Sequence, residues 1–311
     1  QELCGLGDEK FLPILESAAE QRLSSPSTTS SARNSLIQLI IKSGFLKLGK
    51  SLLIREIDQG NLCISDETLV EDLITDETLT LAKWHQIARS GTKDEKKRLH
   101  HGKKCFDLWM NSNERPSFLI ELLVEFGKHG ILTVENIELL EFLAVRDKKI
   151  NVWLEVLGDY IVRTPLDQQN NLLHWAIRII TSRLDNPEMA AEYCLKIWTD
   201  RPELNFQELF TVGSLYFHAN SLLNAQSYLL RILNNPDILK DPDLLLASLD
   251  LLARVRLDKA HFATVTQTLL SWSRAGSNSE LTDALVNRSI EWQVAGNEDL
   301  NHMFMNHFAK E

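Results

Sequence analysis

The chain has 311 residues, a net charge of -10 and 44% hydrophobic residues, enough apolar material to bury a sizeable core. No run approaches the roughly 18 uncharged apolar residues that a membrane helix needs, so no membrane insertion is expected. An acidic chain suits phosphate ligands only where basic charge is gathered locally, and the sparse Gly (13) and Pro (8) among many helix formers imply an all-α protein.

In chain order, "QELCGLGDEKFLPILES" has neither the basic start nor the apolar centre of a signal peptide, so the chain reads as a mature or trimmed piece. Residues 8 to 23 hold one expected helix. The Ser/Thr/Pro-rich "SSPSTTSSARN" (24 to 34) reads as a flexible connector. Next comes "NSLIQLIIKSGFLKLGKSLLIREIDQG" (34 to 60). In it Leu36, Ile37, Ile40 and Ile41 share one helical face, Lys42-Ser43-Gly44 supplies a stop, and Leu48, Leu52 and Leu53 repeat the spacing up to Gly60. The "DETL" at 66 to 69 and again at 76 to 79 places Asp66 and Asp76 as N-caps with Glu in the first turn.

Two short antiparallel helices leave an apolar face uncovered, so such a hairpin needs neighbours. Shifted by 86 residues, "LLVEFGKHG" (122 to 130) falls on "LIQLIIKSG" (36 to 44), with Gly130 on Gly44 and, further on, Leu139 on Leu53. Shifted by 34, "AQSYLLRILNNP" (225 to 236) falls on "AEYCLKIWTDRP" (191 to 202), and 34 residues is the period of tetratricopeptide repeats. Gly213 and Ala225 would let two helices approach, Tyr216 would fill the gap, and Pro236 would end the second helix. Residues 241 to 276 read as a further helix pair and 279 to 296 as a closing helix. About eight or nine hairpins or part-hairpins are expected in all.

The pattern Asn34, Leu36, Ile37, Lys42, Gly44, Gly49, Leu52, Leu53 and Gly60 resembles a pentatricopeptide repeat. Residues 118 to 143 match it partly, and 175 to 270 resemble the broader tetratricopeptide kind. The resemblance implies a right-handed α-solenoid of helix-turn-helix repeats, and it implies organellar single-stranded RNA binding of the sort found in divergent fungal factors that stabilise or help translate mitochondrial messages. By that resemblance Asn34 and Asp66 would be the base-reading pair. Asp66 lies two residues beyond the expected position, and apolar Ile120 stands where the second unit should read a base, so backbone or shape contact is implied rather than a base-by-base code.

The basic run "KDEKKRLHHGKK" (93 to 104) carries six Lys or Arg against two acids, leaving about -14 on the rest of the chain. Lys96, Lys97, Arg98, Lys103 and Lys104 are its candidate phosphate contacts. Trp84, Phe106 and Trp109 flank the run and could stack on bases, although their helical spacing with Leu81, Ile87 and Leu108 fits a core. His100, His101 and Cys105 are metal-ligand types without a neighbouring fourth ligand, as are His302 and His307, so no metal site is expected. Cys4, Cys63, Cys105 and Cys194 form no CxxC pair and read as thiols of a reducing compartment.

There is no Gly-rich phosphate loop, GxSxG or HExxH, and acids such as Glu71 and Asp72 fit a solvent face, so no catalytic residue, cofactor or small-molecule substrate is expected. The expected organisation is an N-terminal helix and connector (1 to 33), pentatricopeptide-like repeats (34 to 160), and tetratricopeptide-like repeats with a cap (161 to 311). The expected function is organellar RNA binding supporting message stability, processing or translation, in the mitochondrial matrix. The alternative is a protein-interaction scaffold, cytoplasmic or nuclear, holding a partner on its concave face.

Overall fold

Leu, Ile and Ala recur at helical spacing through most of the chain, and the computed structural model turns that periodicity into fourteen α-helices and no strand among the described residues. Those residues are 12 to 25, 28 to 61, 66 to 199, 203 to 255, and 283 to 284. They form two compact units, residues 1 to 156 and 157 to 311.

The first unit begins with α1 (Leu12–Ser24), α2 (Ser30–Lys42) and α3 (Leu46–Asp58). It continues through α4 (Glu67–Ile74), α5 (Thr78–Gly91), α6 (Glu95–Met110), α7 (Leu119–Lys128) and α8 (Val134–Arg146). The boundary falls in α9 (Ile150–Arg163). The second unit holds α10 (Leu166–Arg183), α11 (Pro187–Ile197), α12 (Phe206–His218) and α13 (Leu222–Leu233). A 3₁₀ turn (Pro236–Lys240) and α14 (Pro242–Arg254) follow. The second helix expected within 241 to 276, the closing helix at 279 to 296, and His302 and His307 lie outside the described residues, apart from a helical pair at 283 and 284.

The hairpin of α2 and α3 forms as its residues imply. Phe45 N–H donates to the Ile40 carbonyl (3.2 Å) and Gly44 N–H to that of Ile41 (3.0 Å), with Gly44 at φ 90°. This is a left-handed closure that only a residue without Cβ adopts freely. The 86-residue echo repeats the geometry: Ile131 N–H donates to Phe126 (3.1 Å), Gly130 N–H to Gly127 (3.0 Å), and Gly130 has φ 67°. Within α3, Gly49 faces α2 so closely that a Cβ there would stand 2.4 Å from Ile41 Cγ1. Ile37, Ile40, Leu53 and Ile57, each stabilising by roughly 1.5–3 kcal/mol on full burial, join Leu15, Val70, Ile74 and Trp84 in one core running from α1 to α5.

The 34-residue echo also has a structural counterpart. Ala191 in α11 and Ala225 in α13 are both fully buried. A Cβ on Gly213 of α12 would lie 3.2 Å from Leu229 Cγ and 3.5 Å from the Ala225 carbonyl, so α12 and α13 touch almost backbone to backbone. Tyr216 stacks on Tyr228 across that contact, and α13 ends at Leu233, ahead of Pro236.

Two local expectations are corrected. The connector is shorter than 24 to 34, because α2 already starts at Ser30, where the Thr29 hydroxyl accepts from Ala32 N–H as a cap. Asp76 does not cap α5; that helix starts after Glu77 without a side-chain cap, while the Asp76 carboxylate is drawn across to Lys50 Nζ at 2.5 Å.

Gly49→Ala should destabilise the protein by about 1–3 kcal/mol in denaturant unfolding, since α2 and α3 must part to admit the methyl. Gly91→Ala, whose Cβ would meet nothing within 4 Å, should be neutral or stabilising by up to about 1 kcal/mol.

Candidate functional site

The chemically richest surface is built by α4, α5 and α6. Asp66 opens α4 by accepting from Leu69 N–H (3.3 Å), which turns Glu67 and Glu71 toward α6. Asp94 opens α6 by accepting from Lys96 N–H (2.9 Å) and Lys97 N–H (3.1 Å). The basic run thereby becomes the first turns of a helix, where the aligned peptide dipoles disfavour cations.

The five basic candidates divide into two groups. Lys96, Lys97 and Lys103 are exposed, as is Lys93, and none makes an ion pair among the described residues. Arg98 and Lys104 are instead engaged within the protein. Arg98 Nε donates to Glu125 Oε1 (2.6 Å), and Arg89 grips the other oxygen of that carboxylate, at 2.8 Å through Nε and 2.7 Å through its terminal nitrogen. Burial would raise the Glu125 carboxyl, but the two guanidiniums hold it below its ordinary range. Lys104 Nζ lies 2.8 Å from Glu67 Oε1 and 2.5 Å from Glu71 Oε1.

The first base-reading candidate, Asn34, is half-buried in α2 beside the Arg33–Glu56 ion pair (2.8 Å), and its Oδ1 is buried without a hydrogen-bond partner. Asp66 is occupied as a cap. Trp84, Phe106 and Trp109 are buried; Phe106 meets Phe126 edge-on and Trp109 meets Phe118. They are core residues, which removes them as a stacking platform for bases.

One arrangement here has no simple sequence signature. His85 of α5, fully buried beside Trp84, faces His101 of α6 with the two Nδ1 atoms 3.1 Å apart. The rings therefore share one proton, one nitrogen donating and the other accepting. Burial, then the neighbouring His101, pushes His85 down to about 4; burial also lowers His101. Around the pair, His100 Nε2 is 2.8 Å from Glu67 Oε1, and burial of Glu67 is outweighed by Lys104 and His100, bringing its carboxyl to about 2. Cys105 is turned away: its Sγ donates to the Ala82 carbonyl at 3.3 Å, and burial pushes its thiol up to about 12. The trio His100, His101 and Cys105 is thus not brought together around one point. The one available signal for His85 was an imidazole on the apolar face of α5, between Leu81 and Ala88.

No family model, curated protein or solved structure matches the chain.

The histidine pair has a pH consequence. A buried His whose folded-state pKa is depressed binds its proton more readily unfolded, so stability falls as pH drops from about 6.5 toward 4. The groups facing His85 are His100, His101 and Lys104 on α6 and Glu67 and Glu71 on α4. Unfolding free energies measured across that window should fall by up to about 3 kcal/mol, and His85→Gln should flatten this slope.

Proposed function

We propose that this chain is a right-handed helical-repeat solenoid of the pentatricopeptide and tetratricopeptide kind that binds single-stranded RNA through its phosphate backbone, as a binding protein and not an enzyme. The observation that carries the reading is the set Lys93, Lys96, Lys97 and Lys103, exposed at and beyond the start of α6 and free of ion pairs among the described residues. Surface cations at the start of a helix work against the helix dipole by roughly 0.3–1 kcal/mol each, a cost that Asp94 and Glu95 offset in part and that a bound anion would offset further. The repeated left-handed closure at Gly44 and Gly130 supports the repeat architecture.

Arg98 and Lys104 leave the contact list in this reading, because carboxylates already hold them. Asn34 stays as a single polar contact that would have to expose its buried Oδ1, and Asp66 acts as a cap. Placement in the mitochondrial matrix and a role in message stability, processing or translation rest on the family resemblance alone.

A second reading, a protein-interaction scaffold, is favoured by the net charge of -10 and by large apolar side chains left in solvent, among them Phe142 on α8 and Leu223 on α13.

Fluorescence anisotropy with single-stranded RNA at several salt concentrations separates the two. Binding should weaken linearly with the logarithm of salt, and Lys96, Lys97 and Lys103 changed together to Glu should lower both affinity, about 10- to 100-fold, and the salt slope, by about two. Absence of binding at low salt, or indifference to the triple reversal, would sink the RNA reading in favour of the scaffold.

A further inference from the structure

The histidine pair leaves one atom unexplained. His85 is fully buried, yet its Nε2 makes no hydrogen bond; Glu71 Oε1 stands 3.5 Å away, and Lys104 is committed to the carboxylates. In either arrangement of the shared proton, that nitrogen is stranded. If Nδ1 of His85 donates to His101, Nε2 is a bare acceptor with no donor. If Nδ1 accepts, Nε2 carries a hydrogen with no aligned acceptor. Burying such a group costs about 1–3 kcal/mol, which calls for a reason.

A cation between the two Nδ1 atoms supplies one. Both Nδ1 would then be bare and both Nε2 would carry hydrogens; with Lys104 drawn off it, Glu71 would be free to turn its Oε1, now 3.5 Å from the His85 Nε2, into line as the outer acceptor, as carboxylates commonly do for metal-bound imidazoles. The spacing fits. Two donors at about 2.1 Å on one tetrahedral ion lie about 3.4 Å apart, against the 3.1 Å seen between the imidazole nitrogens. A carboxylate oxygen of Glu67 completes the set: one ligand atom from each of Glu67, His85 and His101 lies within 4.8 Å of the other two.

We propose that Glu67, His85 and His101 bind a zinc-class divalent transition metal through both Nδ1 atoms and one carboxylate oxygen, with Glu71 as the outer partner of His85. Three protein ligands leave a fourth position for water, and the half-burial of Glu67 and His101 leaves a way in. The ion would tie the eight-residue α4 to α5 and α6, giving that short helix an anchor its own length does not provide. Lys104 is the antagonist: its ammonium sits on Glu67 and must swing aside when the ion arrives.

The test is a Co²⁺ titration of the full chain after chelator treatment, followed by displacement with Zn²⁺. One equivalent should bind with the visible bands of nitrogen and oxygen ligation and without a thiolate charge-transfer band, and Zn²⁺ should erase the signal. His101→Asn and Glu67→Gln should each weaken binding about a hundredfold or more, and Glu71→Gln about tenfold. Lys104→Met should tighten it about tenfold, a result that a merely structural ion-pair network would not give. His101 and Glu67 are half-exposed, so their variants should keep the helical circular-dichroism spectrum. Binding unchanged by His101→Asn, a thiolate band, or no binding at millimolar Co²⁺ would overturn the proposal.

Discussion

A helix of about thirteen residues with one apolar face is not stable alone in water, and the described part of this protein is largely a succession of such helices. Within each unit, what makes them a structure is the reversal that lays most of them on the next. At Gly44 and Gly130 the chain reverses through a left-handed residue, and at Gly49 and Gly213 the returning helix comes near enough for backbone and side chain to meet with no Cβ between. Burial of Ile37, Leu53 and Trp84 follows from that closeness. The cores follow it too, since one cluster runs from α1 to α5 and another gathers α12 to α14.

These reversals were legible in the sequence because their causes are local. Lys42-Ser43-Gly44 announces a helix end, and the echo at Gly130 announces another. Gly213, Ala225, Tyr216 and Pro236 took the parts their sizes suggested. Expectations failed where a distant group competed with a local preference. Asp76 has the chemistry of a cap, but Lys50, 26 positions away, holds its carboxylate. Trp84, Phe106 and Trp109 were open to two readings in one dimension, and packing decided for the core. The imidazole pair was invisible for the same reason, since His85 and His101 are 16 residues apart and meet only because α5 and α6 lie against each other.

The acidic balance of the chain looks different once its partners are known. Glu125 restrains two guanidiniums, while Glu67 and Glu71 restrain Lys104. Part of the negative charge is thereby taken up inside the α4 to α7 region, where Glu67 and Glu125 are kept ionised by the cations they touch. What is left exposed on α6 is Lys96, Lys97 and Lys103 beside Glu95 and Asp107, so the surface a ligand would meet there is not described by the net charge.

Lys104 gives the cluster a further property. The tethered ammonium already occupies Glu67 and Glu71, so cations that bind carboxylates weakly and shun nitrogen, such as Mg²⁺, Ca²⁺ and the alkali metals, would have to displace it without gaining an imidazole bond in return. Only an ion that prefers imidazole to oxygen can recover the cost of moving that lysine. The side chain that closes the site electrostatically is thus also its selectivity filter, built from one flexible residue rather than from the size of a cavity.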